Sequence, residues 1–165
     1  IKTGMRLIGA IVLAELAGGI GVLFMTSDSS QWYAGLVKPV WNPPSWVFGP
    51  VWTVLYVIIA ITFGFVLYKA FTDKLPWLIA LPFVLNLVFN FAFTPLQFGL
   101  QNNLLAAIDI LLVLATLAWA IIAVFQYASW VSWANIPYFL WVSFATGLNI
   151  YIVVLNPVTP AMIDV

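Results

Sequence analysis

Long apolar segments alternate with shorter polar connections along this chain. Five segments of about 20 residues each are predominantly apolar, at residues 5–25, 46–68, 76–98, 104–125 and 135–155. A helix of about 20 residues crosses the roughly 30 Å hydrocarbon core of a bilayer, and it satisfies its own backbone hydrogen bonds there. The pattern predicts an all-α integral membrane protein, a single domain over residues 1–165 built as a bundle of five transmembrane helices.

The first connection, residues 26–45, is longer than the other three and has an unusual composition. Loops of that length inside a compact domain are usually either functional or disordered. Disorder is a poor fit, because prolines stiffen this connection and large aromatic side chains give it apolar surface to bury. The residues concerned are Trp32, Tyr33, Pro39, Trp41, Pro43 and Pro44. We therefore predict that the connection acts as a lid over one end of the bundle.

The tryptophans outside the spans also have a simpler interpretation, which stays open. Indole rings concentrate at membrane–water interfaces, where one edge is apolar and the other is wet. Such aromatic belts would account for Trp32, Trp41, Trp130 and Trp133. For Trp130 and Trp133, beside the fifth span, this is the favoured interpretation.

The basic residues predict an orientation in the membrane. Lys2, Arg6, Lys69 and Lys74 fall on the side of the N-terminus, and Lys38 falls on the other side. Cytoplasmic loops carry an excess of lysine and arginine. We therefore expect the N-terminus in the cytoplasm and, after five spans, the C-terminus across the membrane.

The composition excludes most kinds of enzyme and metal site. The chain is 65% hydrophobic and 6% charged, and it has neither cysteine nor histidine. Disulfides, thiolate zinc sites, iron–sulfur clusters, a cysteine nucleophile and the usual histidine ligand or base are therefore excluded. Five basic and five acidic residues balance, so no basic field favours nucleic acid as a partner. We expect no metal and no required cofactor.

Two acidic residues fall within predicted spans, where a charge costs about 2.5 to 3.5 kcal/mol. Glu15 lies midway along the first span, beside small residues that permit close helix packing. Asp109 lies in the first half of the fourth span, within reach of Asn102 and Asn103. For both acids, a structural hydrogen bond and a contact with a ligand stay open.

Polar and aromatic positions share faces on three of the predicted spans. Residues three or four positions apart lie on the same face of a helix. The positions with this spacing are Trp52 and Tyr56 on the second span, Asn86, Asn90, Thr94 and Gln97 on the third, and Trp141, Ala145 and Asn149 on the fifth. Amides and indole N–H groups in hydrocarbon must turn inward to find partners. Interhelical hydrogen bonds would explain the asparagines, but a pocket beneath the lid also explains Trp52 and Trp141.

Such a pocket suits a large, flat, apolar ligand with a few polar groups at its edge, such as a tetrapyrrole or a sterol. Two or three aromatic stacks contribute roughly 1 to 4.5 kcal/mol, whereas micromolar binding requires about 8 kcal/mol. Burial of the ligand's faces must supply the rest, which requires a cover. Because histidine and cysteine are absent as axial ligands, a metal-free porphyrin fits better than haem.

The chain resembles the TspO/MBR family of tryptophan-rich sensory proteins and the mitochondrial translocator protein, or peripheral benzodiazepine receptor. The resemblance is carried by the segment WYAGLVKPVWNPPSWVFGPVWTVLY, followed by LNLVFN, AAIDILL and IPYFLWVSFATGLNIYIVVLN. The resemblance extends from Trp32 to Asn156. It implies a five-helix membrane bundle, often a homodimer, that binds protoporphyrin-like tetrapyrroles and benzodiazepine-type synthetic ligands, with cholesterol as a ligand of some members.

Carried over by motif, the resemblance places the family's pocket at Trp32, Tyr33, Trp41, Pro43, Trp52, Asn90, Trp141, Ala145 and Asn149. Tyr56 joins this set because it shares a face with Trp52. The resemblance also implies that Trp52 and Trp141 are the tryptophans linked to porphyrin photochemistry. In a catalytic role they would stack on the excited ring and exchange electrons with it.

The resemblance is incomplete in two places. Many members carry tryptophan and serine in the third helix where this chain has Phe89 and Asn90, and no basic residue follows Tyr151 as it does in cholesterol-binding members. Cholesterol is therefore unsupported as the native ligand. Three functions stay open: a receptor or carrier for tetrapyrroles in transport or stress signalling, a light- and oxygen-dependent porphyrin-degrading activity, and a sterol- or lipid-binding or scaffolding bundle without catalysis.

Overall fold

Six α-helices and one π-helix make up the part of the chain that the structure describes. The computed structural model describes residues 27–157, together with Arg6 and Gly9. In chain order the elements are α1 (Ser27–Ala34), α2 (Ser45–Phe71), α3 (Trp77–Thr94), the π-helix Pro95–Gly99, α4 (Asn103–Val124), α5 (Ser129–Ala134) and α6 (Ile136–Leu155). These residues include no strand. Apart from Arg6 and Gly9, the first predicted span lies outside the described residues, and so does Glu15.

Four helices are long and apolar enough to cross a membrane. They are α2, α3 with its π-helical extension, α4 and α6, of 27, 23, 22 and 20 residues. At about 1.5 Å of rise per residue, even the shortest reaches roughly 30 Å. They match the predicted spans 46–68, 76–98, 104–125 and 135–155 to within a few residues. The all-helical, membrane-integral architecture is therefore confirmed for the described part of the chain.

Helix α4 lies at the centre of the described bundle. It packs extensively against both α3 and α6, whereas α2 contacts α3 over a smaller area. The spans share one apolar core, in which Phe63 of α2 packs edge-on against Phe83 of α3 with 4.9 Å between ring centroids. Leu117 of α4 and Tyr138 of α6 are fully buried in the same core. The core thereby joins all four spans.

Two prolines of the third span, Pro82 and Pro95, have different effects on the helix. Pro82 is buried inside α3, and the helix continues through it. At Pro95 the α-helix gives way to the π-helix, in which the Leu100 N–H donates to the Pro95 carbonyl at 2.9 Å. Each proline lacks an N–H and so removes one hydrogen bond from the regular ladder, but only at Pro95 does the α-helix change to a π-helix. The wider π-helical turn places the next polar residue of the stripe, Gln97, in a buried position.

The turn between α2 and α3 is short because it closes on itself. Asp73 has a left-handed φ of 56°. The Lys74 N–H donates to the Lys69 carbonyl at 2.9 Å, and the Asp73 N–H donates to the Ala70 carbonyl at 3.2 Å. This is the Schellman arrangement, which pairs carbonyls that a helix end otherwise leaves free. The tight turn makes α2 and α3 antiparallel neighbours.

The connection predicted over residues 26–45 is partly helical. Ser27–Ala34 forms α1, and the proline-rich part that follows, residues 35–44, contains no helix. The sequence SDSSQWYA begins with serine and aspartate, which favour the first turn of a helix. We call residues 27–44 the aromatic connection.

Candidate ligand-binding site

The aromatic connection packs on two helical elements through its aromatic side chains. The Trp41 ring meets the rings of Phe144 and Tyr151 of α6 edge-on, with centroids 5.6 and 5.8 Å apart. Tyr33, near the end of α1, lies 5.4 Å from Phe98 in the π-helix. The connection therefore bridges the π-helix and α6.

Asn156, the residue after α6, ties the aromatic connection to the bundle by hydrogen bonds. Its Oδ1 accepts from the Val37 N–H at 2.9 Å, and its Nδ2 donates to the Val37 carbonyl at 2.8 Å. The same Nδ2 donates to the Ile152 carbonyl of α6 at 2.8 Å. One side-chain amide thus pairs both backbone groups of a residue 119 positions away.

Trp141 belongs to the same group of aromatic rings. Its ring lies 5.5 Å from Phe144 and 5.7 Å from Phe48 of α2. We call Trp41, Phe48, Trp141, Phe144 and Tyr151 the α6 aromatic cluster. The Trp141 Nε1–H is buried and has no acceptor among the described residues. A buried donor without an acceptor costs about 1 to 3 kcal/mol, so an acceptor group entering this cluster would be stabilised.

The amides of α3 pair with neighbouring helices rather than with open space. The fully buried Tyr138 hydroxyl donates to Asn86 Oδ1 at 2.9 Å and accepts from Asn90 Nδ2 at 2.6 Å. Asn86 Nδ2 also donates to the Val113 carbonyl at 2.9 Å and to Thr116 Oγ1 at 3.2 Å. These bonds tie α3 to both α4 and α6. Interhelical bonding therefore accounts for Asn86, while the half-buried Asn90 keeps one edge available.

Trp52 and Tyr56 form a second aromatic pair on α2. Their rings lie 5.4 Å apart in a tilted arrangement, and both pack against the shared core. Trp141 packs against the same core from α6. Trp52, Tyr56 and Trp141 therefore pack against the same apolar core.

Asp109 is buried, and its Oδ2 has no partner among the described residues. The two nearby asparagines are used elsewhere. Asn102 Oδ1 caps α4 by accepting from the Leu105 N–H at 2.9 Å, and Asn103 Oδ1 accepts from Gln97 Nε2 at 2.7 Å. The structure shows no hydrogen bond from the Nδ2 of either asparagine to the Asp109 carboxyl group.

The remaining predicted site residues occupy the same elements. Trp32 and Pro43 are half-buried in the aromatic connection, and Ala145 is buried on α6. Asn149 is half-buried, and its Nδ2 donates to the Ala145 carbonyl of its own helix at 3.0 Å. The structure brings Trp41 and Trp141 into one cluster, pairs Trp52 with Tyr56, and joins Asn90 to Tyr138.

The tryptophans near α5 differ from those of the cluster. Trp133 is 68% exposed, and Trp130 is 44% exposed while packing on Phe65 with centroids 5.0 Å apart. Their exposure agrees with the interfacial belt that the sequence favours for them.

Lys38 places a positive charge against the aromatic face of Tyr33. Its Nζ lies 4.7 Å from the Tyr33 ring centroid and contacts the carbonyls of Leu36 and Ala34 at 3.3 and 3.4 Å. Burial lowers the pKa of Lys38 and raises the pKa of Tyr33, because each charged form loses hydration.

Two apolar grooves in the described part of the chain lie away from these residues. One, of about 480 Å³, opens between α2 and α3 and is lined by Leu67, Phe71, Trp77, Val84, Leu87, Val88 and Phe91. The other, of about 420 Å³, lies on α3 at Trp77, Leu78, Leu81 and Val84. No predicted site residue lines either groove. The rings of the α6 aromatic cluster contact one another, with Trp41 and Tyr151 45% and 47% exposed, so a planar ligand stacked between Trp41 and Trp141 must part existing ring contacts.

Sequence reasoning missed Asn156, Phe48 and Phe144. Phe144 could have been found, because it follows Trp141 by three residues and so shares its helical face. Tyr151 follows Phe144 by seven residues, or about two helical turns, and so shares the face of Phe144. The role of Asn156 cannot be predicted from the neighbouring sequence, because it depends on which residue of a distant segment lies at the end of α6.

The TspO/MBR family model matches residues 10–155 of the chain. The Tryptophan-rich protein TspO of Archaeoglobus fulgidus is 38% identical over 151 residues, which cover 89% of this chain and 95% of that protein. The Tryptophan-rich protein TspO of Chlorobaculum tepidum is 33% identical over 147 residues, covering 89% and 93%. The human Translocator protein is 34% identical over 145 residues, covering 86% and 84%.

Proposed function

The chain belongs to the TspO/MBR family, and on that premise we propose that it is a five-helix membrane receptor or carrier for tetrapyrroles of the protoporphyrin type. The fifth helix of this proposal is the predicted span 5–25, and the aromatic connection is its lid. The ligand is metal-free, because the chain has no histidine or cysteine to serve as an axial ligand.

The observation that carries the proposal is the buried indole N–H of Trp141, which has no acceptor among the described residues, within the α6 aromatic cluster. The cluster contains residues of the aromatic connection, α2 and α6, so parting its rings would open a space with aromatic faces on several sides. A tetrapyrrole offers two flat apolar faces to these rings and polar acceptors at its edge. The aromatic connection would cover the ligand and bury its apolar faces. This burial would supply the binding free energy that stacking alone does not provide.

Protoporphyrin IX titration with tryptophan fluorescence as the readout tests this proposal. The parent protein in lipid nanodiscs should be quenched by the porphyrin, and Trp141→Ala should weaken binding at least tenfold, or about 1.4 kcal/mol. Trp130→Ala is the matched control, because Trp130 packs on Phe65 outside the cluster. Equal affinities for the parent and Trp141→Ala, with binding intact in both, would place the ligand elsewhere.

The proposal extends to benzodiazepine-type synthetic ligands at the same site and to a homodimer in the bilayer. Competition tests the first extension: a synthetic ligand that shares the site should displace protoporphyrin IX with one-to-one stoichiometry. Cross-linking in native membranes tests the second.

Light- and oxygen-dependent porphyrin degradation is a second candidate, favoured by the close pair of Trp52 and Tyr56. Indole and phenol side chains in contact can exchange electrons with a photoexcited ring stacked on them, while the electrons that the ring loses in its degradation pass to oxygen. In this candidate Trp52 and Trp141 are the redox partners, and molecular oxygen is the oxidant. The closed packing of the α6 aromatic cluster supports the third candidate, a bundle that binds lipid or scaffolds partners, and porphyrin titration separates it from the other two.

A further inference from the structure

Lys69, in the last turn of α2, is a positive charge without an ion-pair partner in the part of the chain that the structure describes. Its Nζ lies 5.4 Å from the ring centroid of Phe65, one turn earlier on the same helix. A cation within about 6 Å of an aromatic face is attracted to it, and the N–H donors of the ammonium group that point away from the ring still need an oxygen. No acceptor among the described residues supplies one. These donors are therefore available to an anion.

The Phe65 ring also supports a second donor. It packs edge-on against Trp130 of α5, with centroids 5.0 Å apart. The exposed Trp130 indole N–H makes no hydrogen bond to the described residues. One charged donor and one neutral donor thus meet at a single ring, at the end of the bundle opposite the aromatic connection. We call Phe65, Lys69 and Trp130 the α2–α5 rim.

The charges around the α2–α5 rim favour an anion. Residues 125–135, which contain α5, include no charged residue, and in the turn after α2 the charges of Asp73 and Lys74 cancel. The predicted orientation places Lys2 and Arg6 at this same end and assigns it to the cytoplasmic leaflet. That leaflet carries the anionic lipids, and basic residues near its surface attract their headgroups.

An apolar stripe of α2 continues from the rim toward the middle of the membrane. Val54 and Ile61 are both more than half exposed, and they precede Phe65 by eleven and four residues on nearly the same helical face. The eleven residues from Val54 to Phe65 rise about 16 Å, close to half of the roughly 30 Å hydrocarbon core. The stripe therefore matches the length of one acyl chain in a single leaflet, and its outer end lies at Lys69.

We propose that the α2–α5 rim binds an anionic phospholipid. The lipid phosphate accepts hydrogen bonds from Lys69 Nζ and Trp130 Nε1, and one acyl chain lies along the stripe of Val54, Ile61 and Phe65. A phosphatidylcholine carries the same phosphate, but the cation of its own headgroup competes with Lys69 for it. The lipid lies on the outer surface of the bundle, so this inference goes beyond the proposed function and does not depend on it.

Native mass spectrometry of the full chain in detergent tests the inference. The protein is titrated with phosphatidylglycerol or with phosphatidylcholine of the same acyl chains, and the dissociation constant of the first bound lipid is measured. The parent should bind phosphatidylglycerol about three to ten times more tightly. Lys69→Gln should lower the affinity for phosphatidylglycerol to that for phosphatidylcholine and leave phosphatidylcholine binding unchanged, whereas Lys69→Arg should keep the preference.

Lys74→Gln is the matched control, because it removes one positive charge from the same end of the bundle and leaves the α2–α5 rim intact. It should bind phosphatidylglycerol within twofold of the parent. An equal loss of affinity in Lys74→Gln and Lys69→Gln would overturn the inference in favour of a diffuse positive surface. Equal affinity of the parent for the two lipids would also overturn it. So would a dimer that forms as lipid is withdrawn and that Lys69→Gln abolishes, because a second copy of the chain would then occupy this surface.

Discussion

Replacement of Asn156 by alanine should release the aromatic connection from the end of α6 while leaving the helices intact. The substitution removes the acceptor for the Val37 N–H and the donor to the Val37 carbonyl together. It also removes the bond to the Ile152 carbonyl, which lies in the last turn of α6 where carbonyls can pair with water. The effect should therefore be confined to the contact between the connection and the helix.

The size of the effect follows from the number of bonds. A neutral hydrogen bond contributes a net 0.5 to 1.5 kcal/mol, so the two bonds to Val37 contribute about 1 to 3 kcal/mol to the closed position of the connection. At about 1.4 kcal/mol per factor of ten, their loss should raise the population of the open position about 5- to 150-fold.

Hydrogen exchange at the Val37 amide measures this population. The Val37 side chain is 56% exposed, so protection of its amide depends on Asn156 Oδ1 rather than on burial. Exchange in nanodiscs, followed by mass spectrometry of peptides that contain Val37, should be about 5 to 150 times faster in Asn156→Ala than in the parent. Protoporphyrin IX should also dissociate faster from the variant, because the cover opens more often.

Ser143→Ala is the matched control on the same helix. It removes a single bond, from Ser143 Oγ to the Phe139 carbonyl of α6 at 2.8 Å, and it should leave Val37 exchange unchanged. The reasoning is refuted if Val37 exchanges within twofold of the parent rate in Asn156→Ala, because the two bonds would then contribute nothing to closure.

Three further predictions test other parts of the account. Tyr138→Phe should lower the free energy of unfolding in mixed detergent by about 0.5 to 2 kcal/mol, because the amides of Asn86 and Asn90 lose their hydroxyl partner; unchanged stability would contradict this. If degradation is an activity of the protein, replacing both Trp52 and Trp141 by phenylalanine should slow the bleaching of bound protoporphyrin under light and oxygen at least tenfold. Equal bleaching rates in the parent and the variant would identify ordinary photosensitised damage. Asp73→Gly should raise the free energy of unfolding by up to about 1 kcal/mol, because glycine adopts the left-handed φ of 56° without strain. A loss of stability would contradict this, because the aspartate side chain would then stabilise the turn by more than the strain of its backbone conformation destabilises it.

The spans could be predicted because lipid imposes a simple rule on them. A segment that must satisfy its own backbone in hydrocarbon needs about 20 apolar residues, and this length is visible in the sequence without any tertiary information. The contacts between side chains inside the bundle cannot be predicted in this way. The spacing within α3 places Asn90 on an inward face, but it carries no information about α6, where its partner Tyr138 lies 48 residues away.

The candidate site was predictable to a similar depth. The aromatic residues of the connection and the tryptophans of α2 and α6 were identified from their types and positions, and Trp41 and Trp141 do share a cluster. The hydrogen bonds of Asn156 to Val37 could not be foreseen, because they depend on how a segment without regular structure crosses the end of the bundle. The π-helix at Pro95 was also not foreseen, since a proline near a helix end permits several local outcomes.

A structure of the protein with protoporphyrin IX bound in a lipid bilayer tests the central claim most directly. The account predicts the porphyrin ring between Trp41 and Trp141, with their contacts to Phe144 parted and the Trp141 Nε1–H paired with an acceptor. A ring bound in the groove at Trp77 and Leu81, with the α6 aromatic cluster still closed, would contradict it.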